Sequence, residues 1–189
     1  CWIATNAPHA PLQVRPEDES RYAGKTTSEQ AKFFGMVANI DDNIGKLTAY
    51  LSQKNLDRNT LVIFLTDNGG TVGVPVFNDN MRGAKGSVWR GGTRGCSFWR
   101  LPGVITPGDI SRLAGHVDFM PTLLELTGTK ASTLITQEHE GKSLVPLLID
   151  RDCSWENRYF VSHLGRWPTG KADAHAKRVT AVRDQRWKL

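Results

Sequence analysis

The chain has 189 residues, with 24 Lys and Arg against 19 Asp and Glu, a formal charge of +5. That length holds one sizeable domain, or one domain with a small appendage. With 39% hydrophobic and 23% charged residues, the composition argues against disorder and against collagen-like or low-complexity states. No apolar run approaches the roughly 18 residues that cross a bilayer, and no secretory signal is visible, so any export signal is expected to be removed or to lie outside the chain. The positives are spread out, which suits either a diffuse field toward an anionic partner or an ordinary solvated surface. Their one concentration is Arg82, Lys85, Arg90, Arg94 and Arg100, interleaved with glycines. Cys1, Cys96 and Cys153 are odd in number and far apart, a pattern that fits neither a zinc knuckle nor a disulfide scaffold.

In chain order, residues 1–5 read as a strand, followed by a rigid loop through Pro8 and Pro11. Thr26 and Glu29 form a Thr-x-x-Glu capping box. The apolar residues Phe33, Val37, Ile40, Ile44, Leu47 and Leu51 follow at alternating steps of four and three, which predicts an amphipathic helix. Residues 61–65, Leu-Val-Ile-Phe-Leu, read as a strand buried on both faces of a mostly parallel sheet. The Gly-rich stretch 71–95 has no clear period, and a loop of that length inside a compact domain is usually functional. A short strand is expected within 96–105, and a short helix from Asp118 to Leu126, closed by Gly128. After residue 150 the segments Tyr159–His163 and Val179–Val182 predict a small antiparallel sheet, with a further strand at 186–189.

Three places along this chain can carry chemistry. Asp67 and Asn68 follow directly on the 61–65 strand, where an open α/β sheet places its ligands. A carboxylate beside an amide oxygen suits a hard divalent cation, although Asp-Asn-Gly-Gly is equally a turn sequence. Two such side chains fall well short of the roughly six to eight oxygens that calcium takes. Lys85, in Met81-Arg82-Gly83-Ala84-Lys85-Gly86-Ser87, sits where glycines let amides and cations approach an oxyanion; the alternative is a solvated basic loop. His9, between two prolines, is a proton donor, an anion ligand or a structural residue.

The order of these segments carries more information than any one of them. Asn6-Ala7-Pro8-His9-Ala10-Pro11-Leu12 is followed by Asp41-Asp42-Asn43-Ile44-Gly45 and then Thr66-Asp67-Asn68-Gly69. Next come Met81 to Ser87 with Gly91-Gly92-Thr93-Arg94, then Val117-Asp118-Phe119-Met120-Pro121-Thr122. Together with the stretches Glu140 to Leu148 and Ala181 to Leu189, they resemble the type I sulfatase (arylsulfatase-like) family over nearly the whole chain.

The resemblance implies an α/β fold: part of an alkaline-phosphatase-like, mostly parallel sheet flanked by helices, plus a small antiparallel C-terminal sheet. Residues 1–149 would be the C-terminal half of the sulfatase α/β domain and 150–189 the start of a small antiparallel subdomain. It further implies hydrolysis of sulfate esters with calcium, or possibly magnesium, and a formylglycine nucleophile. Carried over by motif, Asp67 and Asn68 are the second pair of metal ligands, while Lys85 and His9 contact the sulfate group. No Cys or Ser here stands in the Cys/Ser-x-Pro/Ala-x-Arg motif that becomes formylglycine, and the family's first aspartate pair is missing, so both are expected outside this chain. Arg90 occupies the place where the family usually has Glu before two glycines. The expected partners are an aryl sulfate or sulfated carbohydrate and the N-terminal part of the same enzyme, with no nucleic acid and no membrane span. Periplasmic, secreted or lysosomal placement follows by resemblance. A phosphodiesterase or phosphonate hydrolase of the same superfamily and a noncatalytic anionic-glycan-binding domain are the alternatives. His163, Arg166 and Trp167 are candidates for the pocket rim or for plain packing.

Overall fold

The structure is a computed structural model and describes residues 1–129 and 140–189. The chain forms two compact units, one of residues 1–99 with 164–179, the other of 100–163 with 180–189.

In the first unit, α1 (Pro16–Ser20) packs on the long α2 (Ser28–Gln53). The cap of α2 falls one residue later than the sequence suggests: Thr27 accepts from the Gln30 amide, and the Gln30 side chain returns the bond. Of the expected apolar stripe only Leu51 is buried, while Val37 and Leu47 remain exposed. The reason lies in where α1 sits. A methyl on Gly35 would lie 2.9 Å from the Asp18 backbone, and Asn39 donates to Asp18 Oδ2 at 2.8 Å. The closely packed face of α2 is therefore Ala31, Gly35 and Asn39, where small side chains let two backbones approach, rather than the stripe.

Strand β1 (Val62–Leu65) pairs with β2 (Ser97–Arg100) in a two-stranded sheet, and Phe64 stacks with Phe98 at 6.3 Å. The expectation of a strand buried on both faces is not met. Every residue of β1 is half buried, because β2 is its only strand neighbour among the described residues. Residues 1–5 form no strand, and Trp2 and Ile3 are 80% and 72% exposed. An extended segment without a neighbour leaves its amides and carbonyls to water rather than to a ladder. The 71–95 stretch is a loop, apart from the single turn α3 (Arg90–Thr93). The short α6 (Ala172–His175) lies in the returning segment.

In the second unit, α4 (Phe119–Thr127) ends at Gly128 with φ +64°, the left-handed cap the sequence predicts. Helix α5 (Val145–Ile149) buries Val145, Leu147 and Leu148. Asp118, fully buried, ties these parts together: it accepts from the amides of Gly115 and Lys142 and from Arg158 Nη1, each at 2.8 Å. Strands β3 (Phe160–His163) and β4 (Thr180–Arg183) pair antiparallel, as expected, with Phe160 opposite Arg183. The expected strand at 186–189 is present as a bridge from Arg183 to Lys188, with Val182 and Leu189 exchanging bonds of 3.0 and 2.9 Å.

Candidate active site

Three backbone bonds and one to the Thr66 hydroxyl weld the turn after β1 to the Gly-rich loop and its exit at Cys96. Thr66 N–H donates to Cys96 O at 3.1 Å, and Cys96 N–H to Thr66 Oγ1 at 3.1 Å. Gly69 N–H donates to Gly92 O at 3.0 Å, and Lys85 N–H to Gly70 O at 2.9 Å. The last bond matters most, because it holds Lys85 against the turn that carries Asp67 and Asn68. The fit is close enough that a methyl on Gly69 would overlap the Gly91 carbonyl, and one on Gly91 the Gly83 carbonyl. Glycine is thus required here by approach rather than by conformational freedom.

The loop is braced internally. Asn78 donates from its amide to Met81 O at 2.7 Å and to Gly83 O at 2.9 Å, clamping the chain before Lys85. Ser87 Oγ donates to Ala84 O at 2.7 Å, just beyond it. Arg82 lies 3.7 Å over the Trp89 ring, and Arg94 pairs with Asp79 at 3.3 Å. Sequence reading did not single out Asn78 or Ser87. The one available signal is the turn-forming run Asn78-Asp79-Asn80, whose last two residues adopt positive φ.

Asp67 and Lys85 are exposed and Asn68 is half buried, on segments joined by the Lys85–Gly70 backbone bond. The donor set at 67–68 is a carboxylate and a carboxamide oxygen, which fits a share of the shell of a hard cation such as calcium. Among the described residues no group of three or more His, Cys, Asp or Glu forms a metal cluster.

His9 is exposed, and its bonds are local: its amide donates to Asn6 O at 2.9 Å, and Nδ1 lies 2.8 Å from Ala10 O. A carbonyl only accepts, so Nδ1 carries the proton, and Nε2 is the nitrogen left for a ligand. Contact from Nε2 to an anion's oxygen then requires the imidazolium. Two hollows of about 260 and 300 Å³, around Trp187 and Trp155, include none of the candidate residues.

A helix followed by a strand that ends in the Asp67–Asn68 turn, bonded to a cationic Gly-rich loop, is the local frame of an α/β domain. The sulfatase family model matches residues 1–129, and the chain belongs to that family. A sulfatase of Formosa agariphila is 33% identical over 161 residues, covering 78% of this chain and 29% of its own length. Mouse arylsulfatase J is 26% identical over 195 residues, covering the whole of this chain and 33% of its own length. The chain thus spans about a third of the length of these curated relatives. The crystal structure of Ps i-CgsB in complex with k-i-k-neocarrahexaose superposes with a TM-score of 0.77 at 28% identity, covering 96% of this chain and 38% of that one. The fold is accordingly alkaline-phosphatase-like α/β with a small antiparallel sheet.

Proposed function

We propose that this chain supplies half of the metal site and two anion contacts of a sulfatase that hydrolyses sulfate esters of carbohydrates. The observation that carries the reading is the bond from Lys85 N–H to Gly70 O, which sets the lysine beside the Asp67–Asn68 turn. Asp67 and Asn68 hold part of a calcium shell, and magnesium is the smaller competitor for the same oxygens. Bound calcium supplies positive charge that polarises the sulfate group. The Lys85 ammonium, on a braced loop, faces the oxygen that becomes negative as the ester bond breaks, where a fixed cation lowers the barrier most. His9 presents Nε2 to the same group when its ring is charged. The formylglycine nucleophile and the remaining metal ligands belong to the N-terminal part of the same enzyme. A sulfated carbohydrate substrate is supported by the oligosaccharide bound to Ps i-CgsB.

The test is turnover by the full-length enzyme of an activated aryl sulfate and of the matching aryl phosphonate, with calcium and after chelation. Calcium-dependent release of sulfate is expected; faster cleavage of the phosphonate would assign the enzyme to phosphonate hydrolysis. The purified 189-residue chain is expected to turn over neither compound. Aryl sulfate turnover by that chain, abolished by Lys85→Ala, would place a nucleophile within this sequence.

A further inference from the structure

We propose that Arg166 binds a second anionic group, a sulfate or carboxylate, of the same glycan whose sulfate ester faces Lys85. It thereby sets a preference for polyanionic saccharides. The inference rests on the reading of the Lys85 loop as an anion site.

Residues 164–179 fold into the same compact unit as residues 1–99. Within it the Arg166 guanidinium lies over Gly86: a methyl built on that glycine would be 3.9 Å from Nη1 and 4.0 Å from Cζ. Gly86 itself has φ +83°, a conformation that turns the chain immediately after Lys85 and that side-chain-bearing residues rarely adopt. A long-range contact therefore brings the Arg166 guanidinium to the backbone that directly follows Lys85.

Charge balance points the same way. The 71–95 loop carries Arg82, Lys85, Arg90 and Arg94 against the single acid Asp79, which Arg94 already occupies at 3.3 Å. The 164–179 segment carries Arg166, Lys171, Lys177 and Arg178 against the single acid Asp173. Among the described residues no ion pair joins either Lys85 or Arg166 to a carboxylate. An excess of cations over acids in both segments favours anionic ligands at this surface. Lys85 and Arg166 also differ in what they recognise. Lys85 is a compact point charge suited to a single developing oxyanion, whereas the planar guanidinium presents a fork of donors that matches the paired oxygens of a stable sulfate or carboxylate. Arg166 is thus fitted to a group that is recognised and left intact.

The experiment uses the full-length enzyme, wild type, Arg166→Gln and Arg166→Lys. Each is offered a monosulfated and a disulfated disaccharide of the same sugars, and both equilibrium binding and steady-state kinetics are read. Wild type is expected to bind the disulfated sugar roughly tenfold or more tightly than the monosulfated one, the scale of a single charge-assisted contact. Arg166→Gln is expected to lose most of that preference through KM rather than kcat, and Arg166→Lys to keep part of it. A preference that survives in Arg166→Gln overturns the inference. So does an equal loss on both sugars, which would put Arg166 on the sulfate that is cleaved. Binding preference is measured without turnover, so its loss in Arg166→Gln supports the inference even if neither sugar is hydrolysed. Absent hydrolysis counts against the catalytic reading alone.

Discussion

Replacing Gly69 with alanine tests the joint between the Asp67–Asn68 turn and the lysine loop. The added methyl would overlap the Gly91 carbonyl oxygen and lie 3.0 Å from the Gly92 Cα. Gly91 and Gly92 are buried backbone, not side chains that can swing aside. Restoring ordinary contact requires the two segments to part by about 1 Å, since packed interiors hold few spare voids. That movement breaks the 3.0 Å bond from Gly69 N–H to Gly92 O. Leaving a shielded carbonyl without its donor costs about 1–3 kcal/mol, and overpacking adds about 1–3 kcal/mol. For a chain of 189 residues, each kcal/mol moves Tm by about 2–4 °C, so the combined cost of about 2–6 kcal/mol should lower Tm by roughly 4–24 °C in Gly69→Ala. Thermal unfolding followed by circular dichroism gives the answer, with Gly45→Ala as the contrasting variant. At Gly45, inside α2, a methyl meets nothing within 4 Å, and the gain in helix propensity should stabilise by about 0.5–1 kcal/mol. A Gly69→Ala protein melting within about 2 °C of wild type would show that the turn and loop are not locked as described.

Asp118→Ala removes the shared acceptor of Gly115, Lys142 and Arg158 and leaves the Arg158 guanidinium, 15% exposed, without its carboxylate. The expected cost is about 3–5 kcal/mol, read from urea unfolding, and a loss below about 1 kcal/mol would contradict the network. Acid should also unfold the protein. A hydrogen bond from Arg15 holds the Asp18 carboxyl below its ordinary 3.8, one from Arg21 does the same for Asp42, and the Trp187 and Arg186 amides do so for Asp184. Folded values below the unfolded ones mean that this stability is fully present above 3.8 and is lost as pH falls through the folded values. A scan of Tm against pH should therefore drop on acidification, and Asp18→Asn should flatten the drop; an Asp18→Asn curve parallel to wild type would refute the pairing.

What the sequence made legible followed from local physics. The 3.6-residue period announced α2, but the capping box expected from Thr26 and Glu29 is formed one residue on, by Thr27 and Gln30. Gly128 closed α4 because a left-handed cap is a local requirement. The Tyr159–His163 and Val179–Val182 strands were readable from composition, each within a residue of the observed Phe160–His163 and Thr180–Arg183, and their antiparallel pairing was expected. Contacts between distant segments were not readable. Ala31 and Gly35 look like gaps in an apolar stripe until α1 is seen against them. Asp118 looks like a surface charge until Lys142 and Arg158, 24 and 40 residues on, converge on it. At the candidate site the order of motifs drew attention to Asp67, Asn68 and Lys85, while the Asn78 clamp and the Arg166 contact over Gly86 emerged only in three dimensions. His9 was noticed for its prolines, but its protonated nitrogen was set by the Ala10 carbonyl.

The most direct test of the account is the steady-state kinetics of Lys85→Ala in the full-length enzyme with an activated aryl sulfate. If Lys85, held by its amide to Gly70, faces the oxygen that becomes negative, its loss removes about 3 kcal/mol of transition-state stabilisation. In that case kcat falls roughly two orders of magnitude, and KM changes far less. An unchanged kcat with a raised KM would contradict the account, leaving Lys85 as a contact for the bound substrate and not for its transition state.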